Sequence, residues 1–541
     1  MLHPDLLTAA QSIHLTPADL LPYGRDKAKV DLAVLARART SGRLVLVSAI
    51  TPTAAGEGKT TTSIGLAQGL ARIGQSVCLA LRQPSLGPCL GMKGGATGGG
   101  ASSLIPTEDI NLHFTGDFHA ITTAHNLLAA LIDNHLHFRH APRLDPSRIL
   151  WPRVMDMNDR TLRKIVLGLG GKANGTTREG SFDITAASEV MAILCLSQDH
   201  EDLRTRLSRI LVGFSEDGKP VTAGDIGAPG AMVALLKDAM LPNLVRTTEG
   251  VPALVHGGPF ANIAHGCNSV VATRMAMHCA DWAVTEAGFG FDLGAEKFFD
   301  IKARSAGLDT AAVVLVATVR ALRLHGGGKS DGPPDTAAVL AGLPNLGKHL
   351  ESIRTFGERP IVAINRFGAD SEAEIAIIRD YCTAQGVPCA LSDHFGHGGE
   401  GARALAELVV EHAERESVPY KPLYPLDMKP ADKVRAVARQ MYGARDVVLT
   451  KEATRDLAEV RSLGLEGLPV CIAKVPGSLS DDPTRRGRPE GFDITIRRVH
   501  VNAGAGFLVV VTGEVMRMPG LPEHPLALDI DYRDGKIIGL R

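Results

Sequence analysis

Leu44-Val-Leu-Val-Ser-Ala-Ile50, then Thr53-Ala-Ala-Gly-Glu-Gly-Lys-Thr60, then Thr61-Thr-Ser-Ile-Gly-Leu-Ala-Gln-Gly-Leu-Ala71 read as a buried strand, a glycine loop and a helix in close succession. A strand that turns through glycines into a helix N-terminus presents unpaired N–H groups and the positive end of the helix dipole to an anion. The pattern matches G-x-x-x-x-G-K-[ST] except that Thr53 replaces the first glycine. In such a loop Lys59 neutralises the outer phosphates, and the Thr60 hydroxyl sits where Mg²⁺ is held. An ordinary glycine turn with a solvated lysine is the plainer alternative, and the agreement of strand, loop and helix favours phosphate binding.

Further apolar runs alternate with helix-like segments: Val77–Leu81, Ala253–His256, Ala283–Thr285, Val313–Ala317, Pro360–Asn365 and Cys389–Ser392. Short continuous runs of this kind suit strands covered by helices on both faces. The expected fold class is therefore α/β, a P-loop NTPase-like, mainly parallel sheet flanked by helices, with ligands at the C-terminal ends of its strands. Several runs end in polar or glycine-rich sequence suited to one crevice, namely Arg82-Gln-Pro-Ser, His256-Gly-Gly-Pro, Glu286-Ala-Gly-Phe-Gly, Arg320-Ala-Leu-Arg and Asn365-Arg-Phe-Gly.

The chain has 541 residues, enough for several domains. The glycine- and proline-rich stretch His325–Asp335 reads as an exposed loop or linker, and strand-like alternation over Arg497–Val501, Phe507–Val511 and Leu528–Tyr532 suggests a small terminal β unit. The division expected is 1–340 for a nucleotide-binding α/β domain, 341–490 for a second α/β domain, and 491–541 for a β-rich unit. A formal net charge of −1 gives no global field for nucleic acid or an anionic membrane. No apolar run has the length of a membrane span, and Met1-Leu-His-Pro-Asp-Leu lacks the pattern of a signal peptide, so a soluble cytoplasmic protein is expected. Eight scattered cysteines have neither zinc nor thioredoxin spacing and read as buried thiols in a reducing compartment.

Arg82 opens a loop running to Gly100 that is dense in glycine, and each glycine without a Cβ lets backbone approach a ligand at a cost in conformational entropy. At a strand end beside the loop strand, its guanidinium would fork onto a carboxylate or a transferring phosphoryl group, with a structural salt bridge as the alternative. His113, His119, His125, His135 and His137 cluster downstream without a zinc motif's spacing, and most read as hydrogen-bonding groups. Ser85, Ser102 and Ser103 lack a nucleophile-elbow pattern.

Thr51–Thr62, Arg82–Pro88, Pro106–Asp117, His256–Ser269, Val316–Gly327, Leu479–Thr484 and Met518–Pro522 together resemble formate–tetrahydrofolate ligase, in its monofunctional form, across essentially the whole chain. The resemblance implies ATP bound by Thr53, Ala54, Ala55, Gly56, Glu57, Gly58, Lys59 and Thr60, with Mg²⁺ at Thr60. It implies formate, and then a formyl phosphate intermediate, held by Arg82, with Lys59 and Arg82 as the catalytic pair. Tetrahydrofolate would stack on Phe367 and Phe395, the product would be 10-formyltetrahydrofolate, and formate binding would fall to 1–340 with 341–490 contributing to the folate site. A homotetramer activated by a monovalent cation such as K⁺ or NH₄⁺ is implied as well. The chain departs from the family pattern at Phe395, usually tryptophan, at Thr97 and Ala101, usually alanine and tyrosine, and at Arg323, usually lysine. Two other readings fit a phosphate loop: a nucleotide-switch ATPase regulating a partner, and a folate-binding relative with impaired chemistry.

Overall fold

The computed structural model describes residues 1–92, 95–414, 419–513 and 515–540. Lys93 and Gly94 of the glycine-rich loop lie outside the described residues. The strands that form the centre are β1 (Arg43–Ala49), β2 (Val77–Leu81), β3 (Asn243–Thr247), β4 (Pro252–Val255), β5 (Trp282–Glu286), β6 (Ala312–Ala317), β7 (Pro360–Asn365) and β8 (Cys389–Ser392). They lie in the order β3-β4-β2-β5-β1-β6-β7-β8, within a sheet of 12 strands among the described residues. Every neighbouring pair from β4 to β8 is parallel, whereas β3 runs antiparallel to β4. The fold is thus α/β, a large, mostly parallel mixed sheet with helices on its faces and smaller sheets beside it.

The apolar runs become strands because both faces are covered. Along β1, Leu44 and Leu46 enter one core while Val45 and Val47 enter the other; Val313 and Leu315 of β6 alternate with Val314 and Val316 in the same way. A strand buried on both faces needs apolar residues at every position, which removes the period-two signal of a half-exposed strand.

Strand pairing departs from expectation at one point. β2 does not lie beside β1; β5, made some two hundred residues later in the chain, is hydrogen-bonded between them. Arg82 therefore emerges two strands away from the glycine loop, with Glu286 at the end of the strand between. The crossovers on either side of β1 go opposite ways, to β5 and β2 on one hand and to β6 on the other. A crevice forms at such a switch point at the carboxyl ends of the strands.

The stretch Gly326–Asp335 is a largely exposed turn between two packed helices, Val319–His325 and Thr336–Thr355, the second capped by the Asp335 carboxylate on the Ala338 N–H at 2.9 Å, whereas His325, read as part of the exposed loop, is buried at the end of the first helix. The position 340 lies inside that second helix, and β7 and β8 extend the sheet that holds β1. Asp493–Asn502 and Phe507–Thr512 pair as a hairpin, and Asp446–Leu449 and Val470–Ala473 flank them in a four-stranded sheet. The stretch Leu528–Tyr532 is a strand only at its end, from Asp531, preceded by a single 3₁₀ turn. Among the described residues no helix is long and apolar enough to cross a membrane.

Two helices carry the site's geometry. α1 (Lys59–Arg72) leaves the glycine loop and packs against α2 (His394–Gly401), which follows β8. Their approach is close enough that a Cβ at Gly65 would lie 2.4 Å from the His394 Cβ. His394 is locked in the contact, with the Ser392 hydroxyl 2.8 Å from Nδ1 and the Thr62 hydroxyl 3.3 Å from Nε2. Because the Thr62 hydroxyl donates to the Gly58 carbonyl, it accepts from Nε2–H, and burial holds the imidazole neutral with a pKa of about 4. Gly65→Ala should overpack this contact and destabilise the fold by about 1–3 kcal/mol. A chemical denaturation midpoint equal to that of the unchanged protein would show that the helices can separate without cost.

Candidate active site

The glycine loop is shaped from within by Glu57. Its carboxylate turns inward and is buried, accepting the Thr53 N–H at 2.6 Å and the Thr318 hydroxyl. Thr318 caps the helix that follows β6, so the carboxylate ties the loop to a neighbouring strand end. Asn365, at the end of β7, donates to the Glu57 carbonyl at 3.0 Å, and Arg320 donates to the Gly56 carbonyl. Gly58 then takes φ +73° and starts α1 at Lys59. A Cβ on Gly58 would lie 2.5 Å from the Asn365 amide, so glycine is required there for both conformation and space.

Lys59 and Thr60 therefore occupy the first turn of α1, with the loop curled over the helix N-terminus. The Thr60 hydroxyl lies 2.9 and 3.1 Å from the two Glu286 carboxylate oxygens. Burial pulls the Lys59 ammonium below its ordinary pKa, Glu286 pushes it back up, and Arg82 adds to the lowering. Thr60 and Glu286 thus meet across adjacent strand ends, and the Arg82 guanidinium reaches the same edge, where a Cβ at Gly288 would lie 3.1 Å from its Nη1, although these residues come from three strands. Glu286 is almost fully buried, and its role was legible only as the polar end of an apolar run.

Arg82 is partly exposed and packs against the loop after β4 and the turn after β5. Its Nη1 donates to the Pro259 carbonyl at 3.3 Å, while Nε is buried without a hydrogen-bond partner. No carboxylate is within ion-pair distance of it among the described residues, so the salt-bridge alternative has no partner here. A buried guanidinium N–H with nothing to bond is costly unless a ligand completes it. Next to it Phe289 takes φ +58°, the left-handed region that a bulky residue rarely adopts, directly after the Glu286-Ala-Gly segment. Strain of this kind gathers at ligand-binding sites.

The two aromatic residues come from adjacent strands. Asn365 and Ser392 are paired in register, and Phe367 and Phe395 follow them by two and three residues at the same edge of the sheet. Phe367 stacks under the Arg320 guanidinium, 4.0 Å from its ring centre, which links the ring to the glycine loop. Phe395 is 57% exposed, an unusual state for an aromatic side chain, and its carbonyl accepts the Ala101 N–H at 2.8 Å. A Cβ at Gly100 would lie 2.2 Å from that carbonyl oxygen, so the glycine-rich segment lies directly on the Phe395 backbone.

Other sequence features have structural roles. His256 is buried and neutral, with a pKa of about 4, donating from Nε2 to the Ala239 carbonyl at 2.6 Å and accepting the Ser269 hydroxyl at 2.7 Å. His125 and His135 donate to the Pro152 and Pro142 carbonyls, whereas His113, His119 and His137 are exposed. Among the described residues no group of three or more His, Cys, Asp or Glu side chains could hold a metal ion. Arg323 is explained by Glu374: Nε and Nη2 reach its two oxygens at 2.6 and 2.7 Å, a planar fork that lysine does not offer. Burial would raise the Glu374 pKa, and the Arg323, Ser371 and Asp335 donors outweigh it, holding the carboxyl at about 2.

Comparison with known proteins identifies the family of the chain. A sequence profile described as formate–tetrahydrofolate ligase matches residues 3–541. The formate–tetrahydrofolate ligase of Hyphomonas neptunium is 56% identical over 531 residues, covering 97% of this chain and 96% of that protein. Those of Paracoccus denitrificans and Ruegeria pomeroyi are 55% and 53% identical, covering 98% and 99% of this chain and 96% and 97% of theirs. More than half of all positions agree along nearly the full length of each pair, and the chain therefore belongs to the formate–tetrahydrofolate ligase family.

Proposed function

We propose that this chain ligates formate to tetrahydrofolate in two steps, with ATP supplying the activation and formyl phosphate as the intermediate. The observation that carries the reading is the meeting of Thr60, next to Lys59 in the first turn of α1, with Glu286, while the Arg82 guanidinium lies against Gly288 two residues further on. Formate oxygen attacks the γ-phosphorus of ATP, the bond to the β-phosphate oxygen breaks, and ADP leaves. N10 of tetrahydrofolate then attacks the formyl carbon and expels phosphate, giving 10-formyltetrahydrofolate.

Thr53 to Thr60 supply the phosphate cradle, with the loop amides and the dipole of α1 facing the triphosphate. The Lys59 ammonium, partly desolvated and held beside Glu286, neutralises the outer phosphates. Arg82 binds the formate carboxylate with its free donor and keeps the carboxylate aligned with the γ-phosphorus. Mg²⁺ bound with ATP would neutralise charge on the β- and γ-phosphates, and the oxygen donors of Thr60 and Glu286 suit such a hard cation. Phe367 and Phe395 offer stacking faces for a pterin at the same sheet edge. Phe395 presents less area than tryptophan, and Ala101 leaves room beside it.

The eight free thiols fit a reducing, cytoplasmic setting. The family resemblance adds a homotetramer and activation by K⁺ or NH₄⁺ to this reading.

The direct test measures ADP release and acid-generated methenyltetrahydrofolate absorbance with MgATP, formate and tetrahydrofolate supplied singly and together. Equal amounts of ADP and formylated folate, formed only with all substrates present, are expected. ATP hydrolysis indifferent to formate and tetrahydrofolate would overturn the reading in favour of a nucleotide switch. Lys59→Ala should lower kcat by about 10²–10³-fold, the loss typical of one preorganised charge-stabilising donor. Arg82→Ala should keep nucleotide affinity in a binding titration yet lose formate-dependent turnover, and unchanged formate kinetics would sink the assignment. Glu286→Gln, which preserves the contact to Thr60 but removes the charge, should raise the Mg²⁺ concentration needed for half-maximal activity.

A further inference from the structure

Cysteine spacing gives no hint of pairing, yet the fold brings two of the eight thiols together. Cys382 lies in the last turn of the helix Glu372–Ala384, and Cys389 is the first residue of β8. The chain reverses between them through Gln385–Val387, with Gly386 at φ +63° and the Val387 N–H donating back to the Cys382 carbonyl at 2.9 Å. That reversal folds the two side chains back toward each other, near enough for each thiol to perturb the other. Both are reduced.

The pair is asymmetric. Cys382 is fully buried, and its contact with Cys389, together with burial, pushes its thiol far above the ordinary pKa. Cys389 is partly exposed, and its neighbour Cys382 lowers its thiol to about 7, with the nearby Arg379 charge contributing. The other six cysteines, 78, 89, 195, 267, 279 and 471, are buried with thiols raised to about 11 or higher. An accessible thiolate touching a buried second thiol is the arrangement of a peroxide-sensitive cysteine with its resolving partner.

We propose that Cys389 and Cys382 are a redox modification site, oxidised by hydrogen peroxide to an intramolecular disulfide at the outer edge of the central sheet. The Cys389 thiolate attacks one peroxide oxygen, the O–O bond breaks, and the departing hydroxide takes a proton as water, leaving a sulfenic acid. The Cys382 sulfur, losing its proton, attacks the Cys389 sulfur; the S–S bond forms and the sulfenic oxygen leaves as a second water. Two thiols are oxidised by two electrons and one peroxide is reduced to two waters. A small-molecule dithiol reverses the step by thiol–disulfide exchange. Cys389 sits on an edge strand, paired on one side only, where closing to the bond distance meets least resistance. The staple would join the helix Glu372–Ala384 to the strand that leads, three residues on, to the His394–Phe395 contact with α1.

The full-length protein is treated with hydrogen peroxide at neutral pH, its free thiols are alkylated under denaturing conditions, and peptides are mapped by mass spectrometry. The expected product is a Cys382–Cys389 cross-link lighter than the dithiol by two hydrogens and lost on dithiothreitol treatment, with the other six cysteines alkylated. In the native protein without oxidant, Cys389 should react with iodoacetamide at least about tenfold faster than any buried cysteine. Cys382→Ser should leave a sulfenic acid on Cys389 that dimedone traps, and Cys389→Ser should leave Cys382 unmodified. Cys389 reacting no faster than the buried thiols, or passing to sulfinic acid in the unchanged protein without a cross-link, overturns the proposal. Circular dichroism of each variant shows whether it is folded, and the alkylation rate in the unchanged protein decides the matter without any variant.

Discussion

A single inward-turned carboxylate holds the loop on which the crevice depends. Glu57 gives up water to accept the Thr53 N–H and the Thr318 hydroxyl, and a buried carboxylate is tolerated only when such donors surround it. With that anchor in place, the loop closes on itself through the Gly56 N–H to the Thr53 carbonyl at 3.1 Å before the chain enters α1. Asn365 and Arg320 complete the frame from the ends of β7 and β6. The loop shape is thus a property of three neighbouring strand ends rather than of the glycine motif alone.

The same economy of contact governs the second half of the site. α1 approaches α2 so closely that a hydrogen at Gly65 is all that fits against His394, and the glycine-rich segment lies on the backbone of Phe395 in a similar way. Backbone-to-backbone approach places the exposed Phe395 ring by main-chain positions, which are stiffer than side-chain ones. Arg320 does the equivalent for Phe367 through its guanidinium face, binding ring and loop into one unit. A shift in the glycine loop would therefore be felt at both aromatic rings.

Much of this was written locally in the chain. The seven apolar runs were readable as strands because two-sided burial demands unbroken hydrophobicity, and five of the polar strand ends fall on one edge as their sequence suggested. Residues that act through long-range pairing were not readable. The insertion of β5 between β1 and β2 has no local signal, so Glu286 could not be matched with Thr60 from sequence. Glu57 sat inside the motif but its inward turn depends on Thr318, 261 positions away. The strands Asp446–Leu449 and Val470–Ala473 were hidden in a stretch whose helices dominate the pattern, and they exist because the hairpin Asp493–Thr512 offers them edges.

The sheet order also bears on how the molecule is made. β1 and β2 leave the ribosome early, but the strand that separates them is residues 282–286, so the two cannot reach their final spacing until that segment has been synthesised. At about 5–20 residues per second the delay is on the order of ten to fifty seconds. During that time β1 and β2 stand without the strand that belongs between them, with open edges able to pair wrongly. The finished fold thus carries a constraint that its stability does not express: the centre of the sheet can close only after residue 286 has been made.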